Sequence, residues 1–468
     1  MDRIEKDPLG EMALPSEAYY GIQTARAIAN FPLSGYRLHT SFITAYAYVK
    51  KACALTNKDT GFLSAEKADA IVTACDEIIA GKWHDHIIVD AFQGGAGTSA
   101  NMNMNEVIAN RAGELLGGTV GVYDKIHPLH DVNMHQSTND TFPTALRVAV
   151  LFMLQDCEKS VSGLQESLQK KEQEFASIVK LGRTELQDAV PMTLGMEFGA
   201  WGEATARDRW RIFKSRERIK TVNLGGTAIG TGLGAPRDYI FKVVDRLKQL
   251  TGLTISRAEN LVDATQNSDQ FAEISGILKA CASNLLKISN DLRLLSSGPH
   301  GGFAEISLPA MQAGSTIMPG KVNPVICEAV AQAALRVITN DQIIALAAGL
   351  GNLELNQNMP LICHTMLESL TLLTNASAML DKKCVQGIVP NKSNCQSFVD
   401  RSSMTATVLV PILGYETVER FVKEAESTGR PVRDVILESG VISKEKLNEL
   451  LSPATMYKLG FTKEDPKQ

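Results

Sequence analysis

Seven apolar residues, Ile274, Leu278, Cys281, Leu285, Ile288, Leu292 and Leu295, follow one another at steps of 4, 3, 4, 3, 4 and 3. A heptad pattern sustained over three repeats puts all seven on one stripe of a helix. The helix of about thirty residues that it predicts is roughly 45 Å long at ~1.5 Å per residue. One subunit has difficulty burying such a stripe. Its expected partners are the Ala-rich run at 326–348 and a helix from Pro360 to about Cys384, where small residues permit close approach. Another long helix is predicted from Thr144 to about Lys180, broken near Gly182. The fold class that follows is all-α, a bundle of very long helices completed by other subunits.

The chain has 468 residues, 44% of them hydrophobic, ample for a large core and too long for one small domain. A formal net charge of -5 argues against nucleic acid as the main partner. MDRIEKDPLGE is charged from its start, without the apolar stretch of a signal peptide, and no run reaches membrane-spanning length. The eight cysteines, at 53, 75, 157, 281, 327, 363, 384 and 395, form no CxxC pair. They read as reduced, mostly buried thiols of a cytoplasmic protein.

Toward the N-terminus, Pro8, Gly10, Pro15 and Gly21 break RIEKDPLGEMALPSEAYYGIQTARA, which is expected to be extended. Helices are predicted over Phe42–Leu55 and Ala65–Ile79, the second with Ser64 as N-cap. GGTAIGTGLG at 225–234 lacks both a preceding strand and the dinucleotide spacing, so it reads as a helix-to-helix connection. Beyond about Asn391 the elements shorten into small helices punctuated by Gly429, Gly440 and Pro453, with Ser443 a simple N-cap.

Four polar stretches carry the candidate chemistry. In GSTIMPGKVNP (314–324), Gly314 and Gly320 free the backbone and Pro319 stiffens it, while Ser315, Thr316, Lys321 and Asn323 crowd one segment. Pro324 then opens a helical run, so the loop meets a helix N-terminus, where free N–H groups favour an anion. It is not a nucleotide-binding loop: five residues separate Gly314 from Gly320 where that motif has four, and Val322 stands where it needs Ser or Thr. QGGAGTSANMNMNEVIANRA (93–112) sets Thr98, Ser99 and Asn101 at the start of a helix. HPLHDVNMHQSTND (127–140) sets Ser137, Thr138 and Asn139 ahead of the long helix. LGRTELQDAVPMTLG (181–195) contributes Thr184 and Glu185. His127, His130 and His135 match no zinc spacing, and His84 and His86 read as solvated loop residues.

These strings resemble the active-site regions of the aspartase/fumarase superfamily, and the resemblance runs over essentially the whole chain. It implies a three-domain all-α homotetramer with sites shared between subunits, divided here at 1–138, 139–395 and 396–468. It implies anti elimination of ammonia from L-aspartate to give fumarate through an aci-carboxylate, with Ser315 as base. Thr98, Ser99, Asn101, Ser137, Thr138, Asn139, Thr184, Thr316, Lys321 and Asn323 would hold the substrate. No organic cofactor or metal ligand set is implied; activation by a divalent metal stays open. The version GTS at Gly97–Ser99, QSTND, and NDLRLLSSGP at 290–299 look more like aspartases than fumarases.

Two alternatives remain at this point, a class II fumarase using the same chemistry and a catalytically silent helical scaffold. The departure that matters most is Glu185, where fumarases carry His. In fumarases that His pairs with a Glu matching Glu328 here, so the resemblance implies two facing carboxylates that titrate as a unit.

Overall fold

A computed structural model describes residues 2–461. Two short strands, β1 (Asp2–Asp7) and β2 (Gly10–Pro15), pair antiparallel as the breakers require. The extended stretch then stops earlier than expected. IQTARAIAN has no breaker and coils into α1 (Ile22–Asn30). Next come α2 (Thr40–Asp59), α3 (Ala65–Ile79) and α4 (Thr98–Leu115). The Ser64 Oγ cap on Lys67 N–H starts α3 where the sequence placed it.

Helix α5 (Thr138–Glu174) ends before Lys180, correcting the sequence expectation. Residues 179–184 form β3 (Val179–Thr184), paired antiparallel with β4 (Gln187–Thr193). The two residues between them, Glu185 and Leu186, both have positive φ (54° and 62°), the geometry of a tight hairpin turn. Helix α6 (Leu194–Ile219) follows, then β5 (Thr221–Val222), α7 (Arg237–Thr251), β6 (Ser256–Arg257) and α8 (Leu261–Gln266). The glycine-rich stretch therefore does follow a strand, a two-residue one paired parallel with β6.

The heptad stripe is α9 (Asp269–Leu295), and all seven of its seam residues are buried. Then come β7 (Ile306–Ser307), α10 (Val325–Gly349), α11 (Met359–Lys383), β8 (Val389–Pro390) and α12 (Lys392–Arg401). Short helices α13 (Val410–Leu413), α14 (Tyr415–Thr428), α15 (Val432–Glu438), α16 (Lys444–Leu450) and α17 (Pro453–Met456) end the described chain. Ser443 caps α16 through Lys446 N–H. The fold is all-α, the four small sheets among the described residues having two strands each.

The chain forms two compact units. Unit 1 collects residues 1–159, 210–282 and 334–374. In it α2 packs against α3 and α7, and α3 against α4. Arg147 on α5 is hydrogen-bonded to Gln270 on α9, and Asn340 on α10 donates to Glu368 on α11 at 2.7 Å. Unit 2 collects residues 160–209, 283–333 and 375–468. There Trp201 Nε1 donates to Asp291 (3.2 Å) and Asn284 Nδ2 to Asp208 (2.7 Å), tying α6 to α9. Residues 406–451 share their own apolar cluster around Leu409, Phe421 and Ile436. All eight cysteines are buried, and none is in a disulfide. Among the described residues no helix is long and apolar enough to cross a membrane.

Candidate active site

Unit 1 brings two helix N-termini together. Gly97 (φ +96°) leads into α4, and a Cβ there would lie 2.3 Å from the Phe142 ring on α5, so only glycine fits. Thr98 is exposed in the first turn, its hydroxyl donating to Gly95 O at 2.7 Å. Ser99 is half-buried beside it. At the start of α5, Ser137 Oγ accepts from Asn139 N–H (3.2 Å), and Ser137 N–H donates back to Asp140 Oδ1 (3.0 Å). This reciprocal pair satisfies donors that a helix start leaves free.

Asn101 links the two starts, since its Nδ2 donates to Thr138 Oγ1 at 3.0 Å. The direction of that bond is fixed by Lys50, which the sequence reading passed over. Lys50 is fully buried and donates to Asn101 Oδ1 (2.6 Å), Gln136 Oε1 (2.8 Å) and Asn133 Oδ1 (3.1 Å). An ammonium only donates, so the Asn101 atom facing it must be the oxygen and the atom facing Thr138 the NH₂. The Thr138 hydroxyl, already an acceptor, keeps its own proton for another partner. Burial pulls the Lys50 ammonium down to about 8. Beneath the same helix start, buried Asp140 accepts from Gly225 N–H (3.1 Å) and Thr227 N–H (3.0 Å), and burial pushes its carboxyl up to about 7 against those donors. Asn139 Nδ2 donates to Ala228 O at 2.7 Å, so the glycine-rich stretch is moored to the start of α5.

Unit 2 carries the remaining candidates. In the 314–324 loop, Ser315 Oγ accepts from Met318 N–H (2.9 Å) and Ile317 N–H (3.2 Å). Asn323 Nδ2 donates to Gly314 O (2.7 Å) and Gly314 N–H to Lys321 O (2.8 Å), closing the base of the loop just ahead of α10. Thr316 and Lys321 are exposed. Lys321 and Asn323 line a cleft of about 730 Å³ together with Arg293, Ser296, Ser297 and His300.

Thr184 and Glu185 sit exposed at the tip of the β3–β4 hairpin. That hairpin is held by a buried ion cluster the sequence did not reveal. Arg183 Nη1 lies 2.9 and 3.1 Å from the two oxygens of Glu305, whose side chain is wholly buried. Lys180 bridges Glu305 (3.3 Å) and Glu197 (2.9 Å). The Arg183 guanidinium also lies over the rings of Phe303 (4.1 Å) and Phe398 (5.0 Å). Among the described residues, no hydrogen bond joins Thr184 or Glu185 to the 314–324 loop, and none joins Glu185 to Glu328 in the first turn of α10.

The histidines have local partners. His127 Nδ1 accepts from Leu129 N–H (3.1 Å) and His130 N–H (3.2 Å), and His135 Nδ1 faces Asn57 Oδ1 at 2.7 Å. His84 and His86, expected to be solvated, are instead half-buried, contacting Ile78 O and Tyr19 N–H. Among the described residues no group of three or more His, Cys, Asp or Glu side chains is placed to hold a metal ion.

Comparison with known proteins fits this arrangement. Residues 10–339 match the family described as Lyase, and residues 406–458 match that described as Fumarase C C-terminus. The chain is 48% identical to an aspartate ammonia-lyase of Bacillus subtilis, covering 98% of this chain and 97% of that one. It is 45% identical to an aspartate ammonia-lyase of Helicobacter pylori, covering 97% of each. A crystal structure described as a fumarate lyase:delta crystallin from Brucella melitensis bound to cobalt superposes with a TM-score of 0.93 at 46% identity, over 97% of this chain and 99% of that one. A recombinant class II fumarase from Schistosoma mansoni gives a TM-score of 0.93 at 34% identity, over 98% and 100%. Fold and family matches together make the protein a lyase. More particularly, the chain belongs to the aspartase/fumarase superfamily.

Proposed function

We propose that this protein is an aspartate ammonia-lyase, a carbon–nitrogen lyase that converts L-aspartate reversibly to fumarate and ammonia. Relatives carrying that name match nearly the full chain at 45% and 48% identity, whereas the class II fumarase stands at 34%. The observation that carries the mechanism is the Ser315 oxygen, already the acceptor of two backbone N–H groups. A serine hydroxyl is a poor base unless its oxyanion is stabilised, and two fixed donors supply that stabilisation.

The alkoxide of Ser315 takes a proton from the methylene carbon next to the side-chain carboxylate of L-aspartate. The electron pair left behind spreads into that carboxylate, which becomes an aci-carboxylate carrying close to two negative charges. It then reforms as the carbon–carbon double bond while the C–N bond breaks and ammonia departs from the opposite face. Preorganised donors are worth most at that intermediate. The hydroxyls of Ser99, Ser137, Thr138, Thr184 and Thr316, and the amides of Asn139 and Asn323, are the donors we assign; Thr98 joins them once its hydroxyl releases Gly95 O, and Asn101, whose two Nδ2 hydrogens go to Thr138 and Asn133, acts by positioning Thr138. The Lys50–Asn101 chain leaves the Thr138 proton free to donate, and Lys321 supplies a positive charge. The reading includes a cytoplasmic homotetramer whose sites draw on several chains, supported by the family resemblance. It invokes no organic cofactor.

The test is fumarate absorbance with L-aspartate and L-malate offered side by side to the purified protein. Turnover of L-aspartate alone is expected. A preference for L-malate would replace this reading with that of a fumarase, and turnover of neither would favour a silent scaffold.

A further inference from the structure

Cys327 lies in the first turn of α10, three residues beyond Pro324, and Cys384 directly follows α11. Both side chains are buried, and their Sγ atoms are 3.7 Å apart. A disulfide needs about 2.05 Å, so the sulfurs must close by about 1.7 Å. Cys384 sits at the junction between α11 and a single 3-10 turn (Val385–Gly387), where the backbone leaves helical geometry (φ -130°, ψ -73°) and is not locked into a helix ladder. We propose that Cys327 and Cys384 form a site of reversible oxidative modification, an intrachain disulfide that restrains the catalytic loop.

Three further features support it. The start of α10 presents free N–H groups that favour a thiolate, and Arg293 adds positive charge. The hydrogen bond from Cys384 is the largest influence drawing the Cys327 thiol below its ordinary value, while that bond and burial push the Cys384 thiol up. Its place in the first turn of α10 makes Cys327 the nucleophile and Cys384 the resolving partner. Finally, a hollow of about 10 Å³ beside Cys384, lined also by Pro324, Val325, Ile326 and Lys383, has room for one water-sized molecule. It can take the water formed when the Cys384 thiol proton meets the displaced hydroxide.

The chemistry balances with peroxide as oxidant. The Cys327 thiolate attacks one peroxide oxygen, the O–O bond breaks, and a sulfenic acid and hydroxide form. Cys384 Sγ then attacks the sulfenic sulfur, the S–S bond forms, and the displaced hydroxide leaves as water with the thiol proton. Two thiols lose two electrons, one peroxide gains them, and two waters result. The part of the closure taken up on the Cys327 side moves the first turn of α10, and with it Asn323, which holds Gly314 O at the loop base. A displacement of about 1 Å at a positioning group costs up to 10²-fold in rate.

The experiment treats the full-length native protein with hydrogen peroxide, then unfolds it in guanidinium chloride containing N-ethylmaleimide to block every remaining thiol, and maps linked peptides by mass spectrometry. Fumarate formation from L-aspartate is followed in parallel. A Cys327–Cys384 linked peptide is expected, with at least a tenfold fall in kcat/KM, both reversed by dithiothreitol. Cys327→Ser and Cys384→Ser, or the Ala variants if the Ser ones misfold, should prevent both. Alkylation of both thiols after peroxide treatment overturns the site. A linked peptide with unchanged turnover overturns its coupling to the loop. The linkage measurement needs no substrate and stands apart from the proposed activity, on which only the turnover measurement rests.

Discussion

Replacing Glu305 by Gln removes one of two carboxylates from a cluster that holds two cations. In the native cluster Arg183 faces both oxygens of Glu305 at 2.9 and 3.1 Å, while Lys180 bridges Glu305 and Glu197. Lys180 keeps Glu197 after the change, so the residue left uncompensated is Arg183, only 10% exposed. Removing one partner of a buried pair costs about 3–5 kcal/mol. Gln retains one oxygen for the guanidinium, and the Phe303 and Phe398 rings remain beneath it, which places the loss near 3 kcal/mol. The assay is urea unfolding at fixed protein concentration, because subunit association also contributes to apparent stability. Arg183→Met in the Glu305→Gln background removes the stranded charge and should recover part of the loss, giving a favourable coupling in a double-mutant cycle. Arg183 is also the neighbour of Thr184, so KM for L-aspartate should rise in the single variant. A loss below about 1 kcal/mol, or a double variant less stable than the single, would refute the claim that charge compensation holds this hairpin.

Ser315→Ala should abolish fumarate formation with unchanged circular dichroism and assembly, since that half-buried hydroxyl bonds only within its own loop; turnover near the parent level would remove it as base. Lys50→Met strands the Asn101 and Gln136 oxygens, at about 1–3 kcal/mol each, but also relieves the burial that lowers the ammonium to about 8. The net stability change should therefore be small, while Asn101 becomes free to flip. The Thr138 hydroxyl then loses its fixed direction, and KM should rise up to about tenfold, the value of one neutral hydrogen bond; an unchanged KM in a folded variant would show that the relay does not orient Thr138. Glu185→His should narrow the preference for L-aspartate over L-malate, because a carboxylate favours the ammonium of one substrate and gains nothing from the hydroxyl of the other. Equal kcat/KM ratios in parent and variant would make Glu185 a bystander.

Features governed by neighbours in the chain were legible without coordinates. The 4-3 spacing from Ile274 to Leu295 predicted a helix with one buried stripe, because side-chain direction along a helix depends on sequence separation alone. Ser64 and Ser443 cap their helices through N–H groups three residues on, again a local matter. The loop at 314–324 was legible for the same reason, its bonds running between Gly314, Ser315, Met318, Lys321 and Asn323. What only the tertiary structure decided depends on partners far along the chain. Residues 179–184 carry no period that excludes a helix; pairing with 187–193 and the turn at Glu185–Leu186 made them a strand. Lys50 in AYAYVKKACAL looks like a solvated lysine, and it is buried only because Asn101, Asn133 and Gln136 converge on its ammonium from residues fifty and more positions away. Arg183 meets Glu305 across 122 residues. Charges in such a sequence give no sign of being paired, since the cost of burying one is offset only by a partner that folding brings to it.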